Sequence, residues 1–181
     1  MDKQAIAQSI RDKRNSYTVM ERAYWDKKIH DTVLDYCSSH QTIGIYAAFN
    51  GEVDTYGIIE TLLWDKSKTI VLPRIENGTM NFYKINDMND LQPGHFGVLE
   101  PIGTETKAVD IMIVPLSAFN TECHRIGYGK GYYDRYFEIN KCIKVGIAYD
   151  FKKVDIQFQD DNDVALDAIV TERAVYHVEK Y

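Results

Sequence analysis

Apolar positions recur along this chain in two periods, and the switches between them mark out its elements. Ala5, Ile6, Ser9, Ile10 and Lys13 lie at helical spacing before the turn-forming Asn15-Ser16 pair, which predicts a short first helix. Thr18 with Glu21 three residues on is a capping-box signature. Met20, Ala23, Tyr24, Ile29, Val33, Tyr36 and Cys37 then follow the helical period, so a second, longer helix is expected to about Ser38. The pattern changes at residues 42–49, a near-continuous β-branched and aromatic run closed by Asn50-Gly51, which reads as a buried strand. Residues 55–64 return to helical register through Ile58, Ile59, Leu62 and Leu63, and residues 69–74 form another β-branched run stopped near Pro73. Glu76-Asn77-Gly78 leads into alternating Met80, Phe82 and Lys84, the pattern of an edge hairpin with a type I′ or bulged turn.

Residues 87–107 show no periodicity and predict a long ordered loop. Three further short apolar runs, 109–115, 144–149 and 167–172, are separated by a glycine-rich loop with a helix and by a polar stretch. Strand and helix alternate throughout. The expected fold is therefore one three-layer α/β/α domain over residues 1–181, with a mainly parallel sheet, helices on both faces and ligand contacts beyond the carboxyl ends of the strands.

Composition narrows the function classes. With 21 basic and 27 acidic residues the net charge is -6, so the overall field repels polyanions and no general nucleic-acid partner is expected. Cys37, Cys123 and Cys142 lack C-x-x-C spacing, and the five histidines lack any zinc-binding arrangement. The longest nearly apolar stretch, 111–119, is interrupted by Pro115 and Ser117, and the start of the chain has no apolar signal region, so a cytoplasmic protein with no membrane span is expected.

The strongest chemical feature is residues 125–135, Arg-Ile-Gly-Tyr-Gly-Lys-Gly-Tyr-Tyr-Asp-Arg, which holds three of the 11 glycines. Glycines let backbone N–H groups approach an anion, and the N-terminus of a following helix adds partial positive charge. Arg125, Lys130 and Arg135 bracket the loop with cations, and Asp134 supplies a hard oxygen of the kind that holds Mg²⁺ beside phosphates. These are the parts of a nucleoside triphosphate site, although a plain strand-to-helix turn also uses glycines. Tyr132 and Tyr133 fit either ring stacking or helix packing.

This segment, together with Val114-Pro115 through Phe119, resembles the 5-formyltetrahydrofolate cyclo-ligases, in which a V-P-x-x-A-F-D motif leads into R-L-G-x-G-x-G-Y-Y-D-R. Lys3, Glu52, Pro73-Arg74 and Asp163 with Asp167 fall in the order that family shows. The resemblance implies a fold of the NagB/RpiA/CoA transferase-like kind. It also implies ATP- and Mg²⁺-dependent closure of 5-formyltetrahydrofolate to 5,10-methenyltetrahydrofolate, with release of ADP and phosphate. ATP phosphorylates the formyl oxygen, N10 attacks the activated carbon, and the protein's tasks are alignment and charge stabilisation.

Carried onto this sequence, the resemblance gives the nucleotide to Lys3, Arg125, Gly127, Tyr128, Gly129, Lys130, Gly131, Tyr132 and Tyr133. Lys130 or Arg125 would stabilise the transferring phosphoryl group. Glu52, Arg74, Tyr128 and Tyr132 would hold the reduced folate, with or without a polyglutamate tail, and Asp134 and Asp163 the Mg²⁺. A monomer is expected. Sugar-phosphate isomerases and CoA-transferases, or a nucleotide or folate carrier without turnover, are the alternatives.

Three positions depart from the family pattern. Ala7 stands where an arginine is usual, with Arg11 one turn on as the candidate replacement; Asn120 replaces an aspartate; and Cys123 replaces a glycine, which predicts a differently shaped loop. Asp134→Asn is expected to lower turnover with little loss of stability, as a loop-end carboxylate near solvent contributes little to folding.

Overall fold

A computed structural model describes residues 3–94, 97–155 and 164–178; the side chains of Lys3, Gln4 and Ala7 also fall outside the described set. The chain begins with helices α1 (Lys3–Arg14) and α2 (Val19–Ser38). The capping box is formed: Thr18 Oγ1 accepts from Glu21 N–H, and the Glu21 carboxylate accepts from Thr18 N–H at 2.8 Å. Strands β1 (Thr42–Gly44), β2 (Thr69–Glu76), β6 (Ile111–Pro115), β9 (Ile143–Ile147) and β10 (Ala168–Val170) run parallel, and helix α3 (Tyr56–Trp64) connects the first two. Antiparallel strands β3 (Thr79–Ile85) and β11 (Val175–His177) close the two edges, giving the order β11-β10-β9-β6-β1-β2-β3. Small ribbons β4 (Leu91–Pro93) with β5 (Leu99–Pro101), and β7 (Ala118–Phe119) with β8 (Arg125–Ile126), stand outside the sheet.

Side-chain alternation in β6 divides the core into two layers. Ile111 and Ile113 pack with α2 and α3 on one face, while Met112 and Val114 meet the aromatic side of helix α4 (Tyr132–Ile139) on the other. Helix α1 packs Ile6 and Ile10 on the β7–β8 ribbon through Ala118 and Ile126. The three-layer, mainly parallel arrangement and the edge hairpin therefore hold; in that hairpin Asn77 and Gly78 have φ of 50° and 77°, the type I′ signature.

Four expectations change. The strand of residues 42–49 leaves its ladder after Gly44, because the backbone from Tyr46 to Ala48 is taken up by side chains: Thr55 Oγ1 donates to Tyr46 O and accepts from Ala48 N–H, and Tyr56 donates to Ala48 O. Strand β2 runs through Pro73 to Glu76. Val71 O accepts from Ile45 N–H on the β1 side, and two residues on Pro73 faces that same side beyond the end of the β1 ladder, where no donor is called for. The 87–107 loop contains the β4–β5 ribbon and a short 3₁₀ turn. Finally, β11 and the β7–β8 ribbon, of three and two residues per strand, are too short to register as a period.

Lys68 holds the end of α2. Its ammonium donates to the carbonyls of Cys37, Ser38 and His40 at 3.1, 2.6 and 2.7 Å, satisfying helix-terminal acceptors and all three of its own donors. Lys68→Met should cost about 1–2 kcal/mol, read as a lower urea midpoint at unchanged m-value.

Candidate active site

The β7–β8 ribbon extends from the end of β6 and delivers the glycine-rich loop to the carboxyl edge of the sheet. Gly129 and Gly131 have φ of 78° and 64°, and a Cβ at Gly131 would meet Arg135 Nη1 at 2.9 Å, so the chain itself explains these two glycines. Gly127 is different. It is absent from the left-handed region and a Cβ there would meet nothing within 4 Å, so its lack of a side chain keeps open space beside the loop. An open cradle of this kind at the start of α4 suits the backbone's approach to a phosphate.

The loop's cations face different ways. Arg125 on β8 is 4% exposed, and both its terminal nitrogens donate to Asp134 Oδ1 at 3.0 Å, with the Tyr133 ring 6.0 Å away. Arg135 lies over Tyr132 at 5.2 Å. Lys130 is exposed at the tip and has no partner among the described residues. Of the proposed metal ligands, Asp134 is thus the partner of Arg125 and also accepts from Val164 N–H at 3.4 Å, while Asp163 lies outside the described residues. Among the described residues no three His, Cys, Asp or Glu side chains converge on one point. Asp167 pairs with Lys144 at the opposite, amino edge of the sheet, where its carboxylate accepts from Lys144 N–H at 2.8 Å.

Glu52 stands across from the loop. Its turn is closed by Asn50 and Gly51 at φ of 51° and 77°; Oε2 accepts from Phe49 N–H at 2.8 Å and Oε1 from the Tyr128 hydroxyl at 2.5 Å. That last bond ties the glycine loop to the end of β1. Burial pushes the Glu52 carboxyl above its usual value, against the hydrogen bonds from Tyr128 and Phe49 and the charge of Lys152. Desolvation and the nearby Glu52 charge hold the phenols of buried Tyr46 and half-buried Tyr133 well above the ordinary range, and they act in the same direction on Tyr128, whose side chain is still 58% exposed.

Arg74 is drawn elsewhere. It donates to the carbonyls of Pro101 and Gly103 at 2.7 Å, pairs with Glu76 at 3.0 Å and stacks on Tyr83, clamping the β2–β3 hairpin to the β5 segment. Tyr132 and Tyr133 pack α4 against the core while remaining half-buried beside the loop. Lys3 begins α1, with its side chain outside the described residues.

Two site residues were not anticipated. Arg14, at the end of α1, donates to the Asn50 carbonyl next to Glu52. It lies seven residues beyond Ala7, two helical turns on, and that spacing was the available signal. Arg11, the expected replacement, instead donates to Gln8 on the helix surface at 2.8 Å. The second is Lys152, 6% exposed after β9, its ammonium donating to Leu116 O at 3.0 Å. Only the fold reveals that burial.

The departures in the 120–124 turn prove local. Asn120 is buried and its Oδ1 accepts from the N–H groups of Glu122 and His124, which a neutral amide does as well as a carboxylate. Cys123 adopts φ of 61°, the conformation glycine would take, so the expected change of loop shape is not found; the non-glycine residue stays in the left-handed region within this hydrogen-bonded turn.

The model of the 5-formyltetrahydrofolate cyclo-ligase family matches residues 1–172. The chain belongs to that family. It is 29% identical over 177 residues to the 5-formyltetrahydrofolate cyclo-ligase of Mycoplasma pneumoniae, covering 95% of this chain and 99% of that protein. It is 27% identical over 181 residues to that of Escherichia coli strain K12, covering 92% and 98%. The solution structure of the 5,10-methenyltetrahydrofolate synthetase of Aquifex aeolicus superposes with a TM-score of 0.89 at 31% identity, over 100% of this chain and 95% of that one. The M. pneumoniae synthetase structure gives 0.77 at 29% identity, over 95% and 99%. In this cyclo-ligase chain the glycine loop and Glu52 meet through Tyr128 beyond the carboxyl ends of the strands, where an open α/β sheet is expected to present ligand contacts.

Proposed function

We propose that the protein closes 5-formyltetrahydrofolate to 5,10-methenyltetrahydrofolate in the cytosol, consuming ATP with Mg²⁺ and releasing ADP and phosphate. The observation that carries this reading is the open cradle at Gly127, joined to Glu52 through Tyr128, in a chain that the family model matches over residues 1–172. Backbone N–H groups of residues 127–131 face the phosphates, and Lys130, the cation with no partner among the described residues, neutralises charge on the group in transfer. The family resemblance also assigns Lys3, at the start of α1, to the nucleotide. Mg²⁺ supplies charge neutralisation on the phosphates when bound; Asp134 and Asp163 would hold it. An ion held by one or two carboxylates, with phosphate oxygens completing its shell, would suit a site whose described residues form no three-ligand cluster. Arg125 fixes Asp134 beneath the loop. Glu52, Tyr128 and Tyr132 receive the pterin, and a folate glutamate tail reaching Arg74 would compete with its carbonyl partners.

The test mixes protein, 5-formyltetrahydrofolate, Mg²⁺ and ATP, following methenyl absorbance and ADP together. Matched, ATP-dependent growth of both supports the reading. Product without ATP, or folate binding without turnover, overturns it.

Glu52→Gln separates function from stability. Because the folded carboxyl titrates above its usual value of 4.5, the stability this group contributes is full below that pH and is lost as pH rises through the folded value. The amide is free of that loss. Its thermal midpoint should exceed wild type at pH 7 by a few degrees, with the difference vanishing near pH 4, while KM for folate rises about tenfold or more. A midpoint difference that does not change with pH would contradict this.

A further inference from the structure

Partly buried Lys68 and buried Lys152 both place their ammonium groups on backbone carbonyls, and they differ in one respect. Lys68 spends all three donors on carbonyls, whereas Lys152, only 6% exposed, has one acceptor among the described residues, Leu116 O at 3.0 Å. Burying an ammonium is costly unless its donors are met, and a single carbonyl could be satisfied by a neutral group. The fold does not account for a cation there.

Topology says what it faces. Strands β9, β6 and β1 are consecutive neighbours in the parallel part of the sheet, so their carboxyl ends lie side by side at strand spacing. Lys152 follows β9, Leu116 follows β6, and Glu52 follows β1. Burial pulls the Lys152 ammonium down to about 8 and Arg14 adds to that, while the Glu52 carboxylate opposes it; Lys152 in turn favours the charged form of Glu52 against the burial that raises its carboxyl. A carboxylate accepts and an ammonium donates. A pterin ring presents the complementary edge, a ring carbonyl beside N–H and amino donors.

Resting on the cyclo-ligase reading, we propose that Lys152 is a further substrate-binding residue whose ammonium donates to the pterin carbonyl while Glu52 accepts from the adjacent ring N–H and amino group. The crevice at the ends of β1, β6 and β9 is then the pterin slot, and the glycine loop above it is the phosphate side.

The test compares wild type, Lys152→Met and Lys152→Gln by calorimetric titration with 5-formyltetrahydrofolate in the absence of ATP, alongside steady-state kinetics and melting. The expected result is a tenfold or greater loss of folate affinity in Lys152→Met, partial recovery in Lys152→Gln, whose amide still donates, and an unchanged KM for ATP. Melting should be unchanged or higher. Folate affinity equal to wild type in a folded Lys152→Met, or an equal loss for folate and ATP, overturns the proposal; if the methionine variant does not fold, the same reading is taken from Lys152→Gln, and wild-type affinity there overturns it. A wild type that binds folate without ATP-dependent turnover refutes the cyclo-ligase reading but leaves this comparison decisive. A wild type that binds no folate overturns both.

Discussion

Arg125→Met should destabilise the protein by about 3 kcal/mol, the low end of what breaking a buried ion pair costs. The guanidinium is 4% exposed and places both terminal nitrogens on Asp134 Oδ1, so its removal strands a carboxylate that is itself only 22% exposed. Water can reach Asp134 in part, which keeps the cost from the upper end. Asp134→Asn should cost less, about 1–2 kcal/mol, since the amide oxygen still accepts from Arg125 while the charge attraction is lost. This corrects the expectation from sequence that Asp134 contributes little to folding: it sits in the first turn of α4, locked to β8, rather than at a solvated loop end. Urea midpoints at constant m-value read both variants, and a double-mutant cycle gives the coupling. An Arg125→Met protein within about 0.5 kcal/mol of wild type would show that the pair does not hold the loop.

Lys130→Ala should do the reverse. The side chain is exposed and has no hydrogen-bond or ion-pair partner among the described residues, so the folding midpoint should move by no more than about 0.5 kcal/mol. Turnover should fall about 100-fold, the scale seen when one preorganised group is removed from developing charge, with kcat rather than folate KM carrying the loss. Single-turnover ADP formation measures it directly. Unchanged kcat would move the phosphoryl-stabilising role away from the loop tip.

Together the two variants divide the glycine motif by physical role. Those results would make the Arg125–Asp134 pair the anchor of the motif and Lys130 a residue that acts without supporting the fold, although all three lie within ten residues. Sequence spacing alone does not distinguish them, because a cation's task depends on whether a carboxylate faces it in the fold.

Features with a local cause were legible in the sequence. The capping box of Thr18 and Glu21 and the Asn77-Gly78 turn rest on interactions between residues close in the chain, the apolar run of β6 carries the composition of a strand buried on both faces, and each occurs where the pattern placed it. So does the glycine loop entering α4, since its conformation follows from the residues themselves. The tertiary structure decided the rest. It ended the β1 ladder early by supplying Thr55 as a substitute partner, kept Cys123 in a glycine-like conformation, committed Arg74 to the β5 carbonyls, and brought Arg14 and Lys152 beside Glu52 from opposite ends of the chain. Those outcomes depend on which strand ends become neighbours in the sheet, a consequence of long-range packing that no periodicity or spacing encodes.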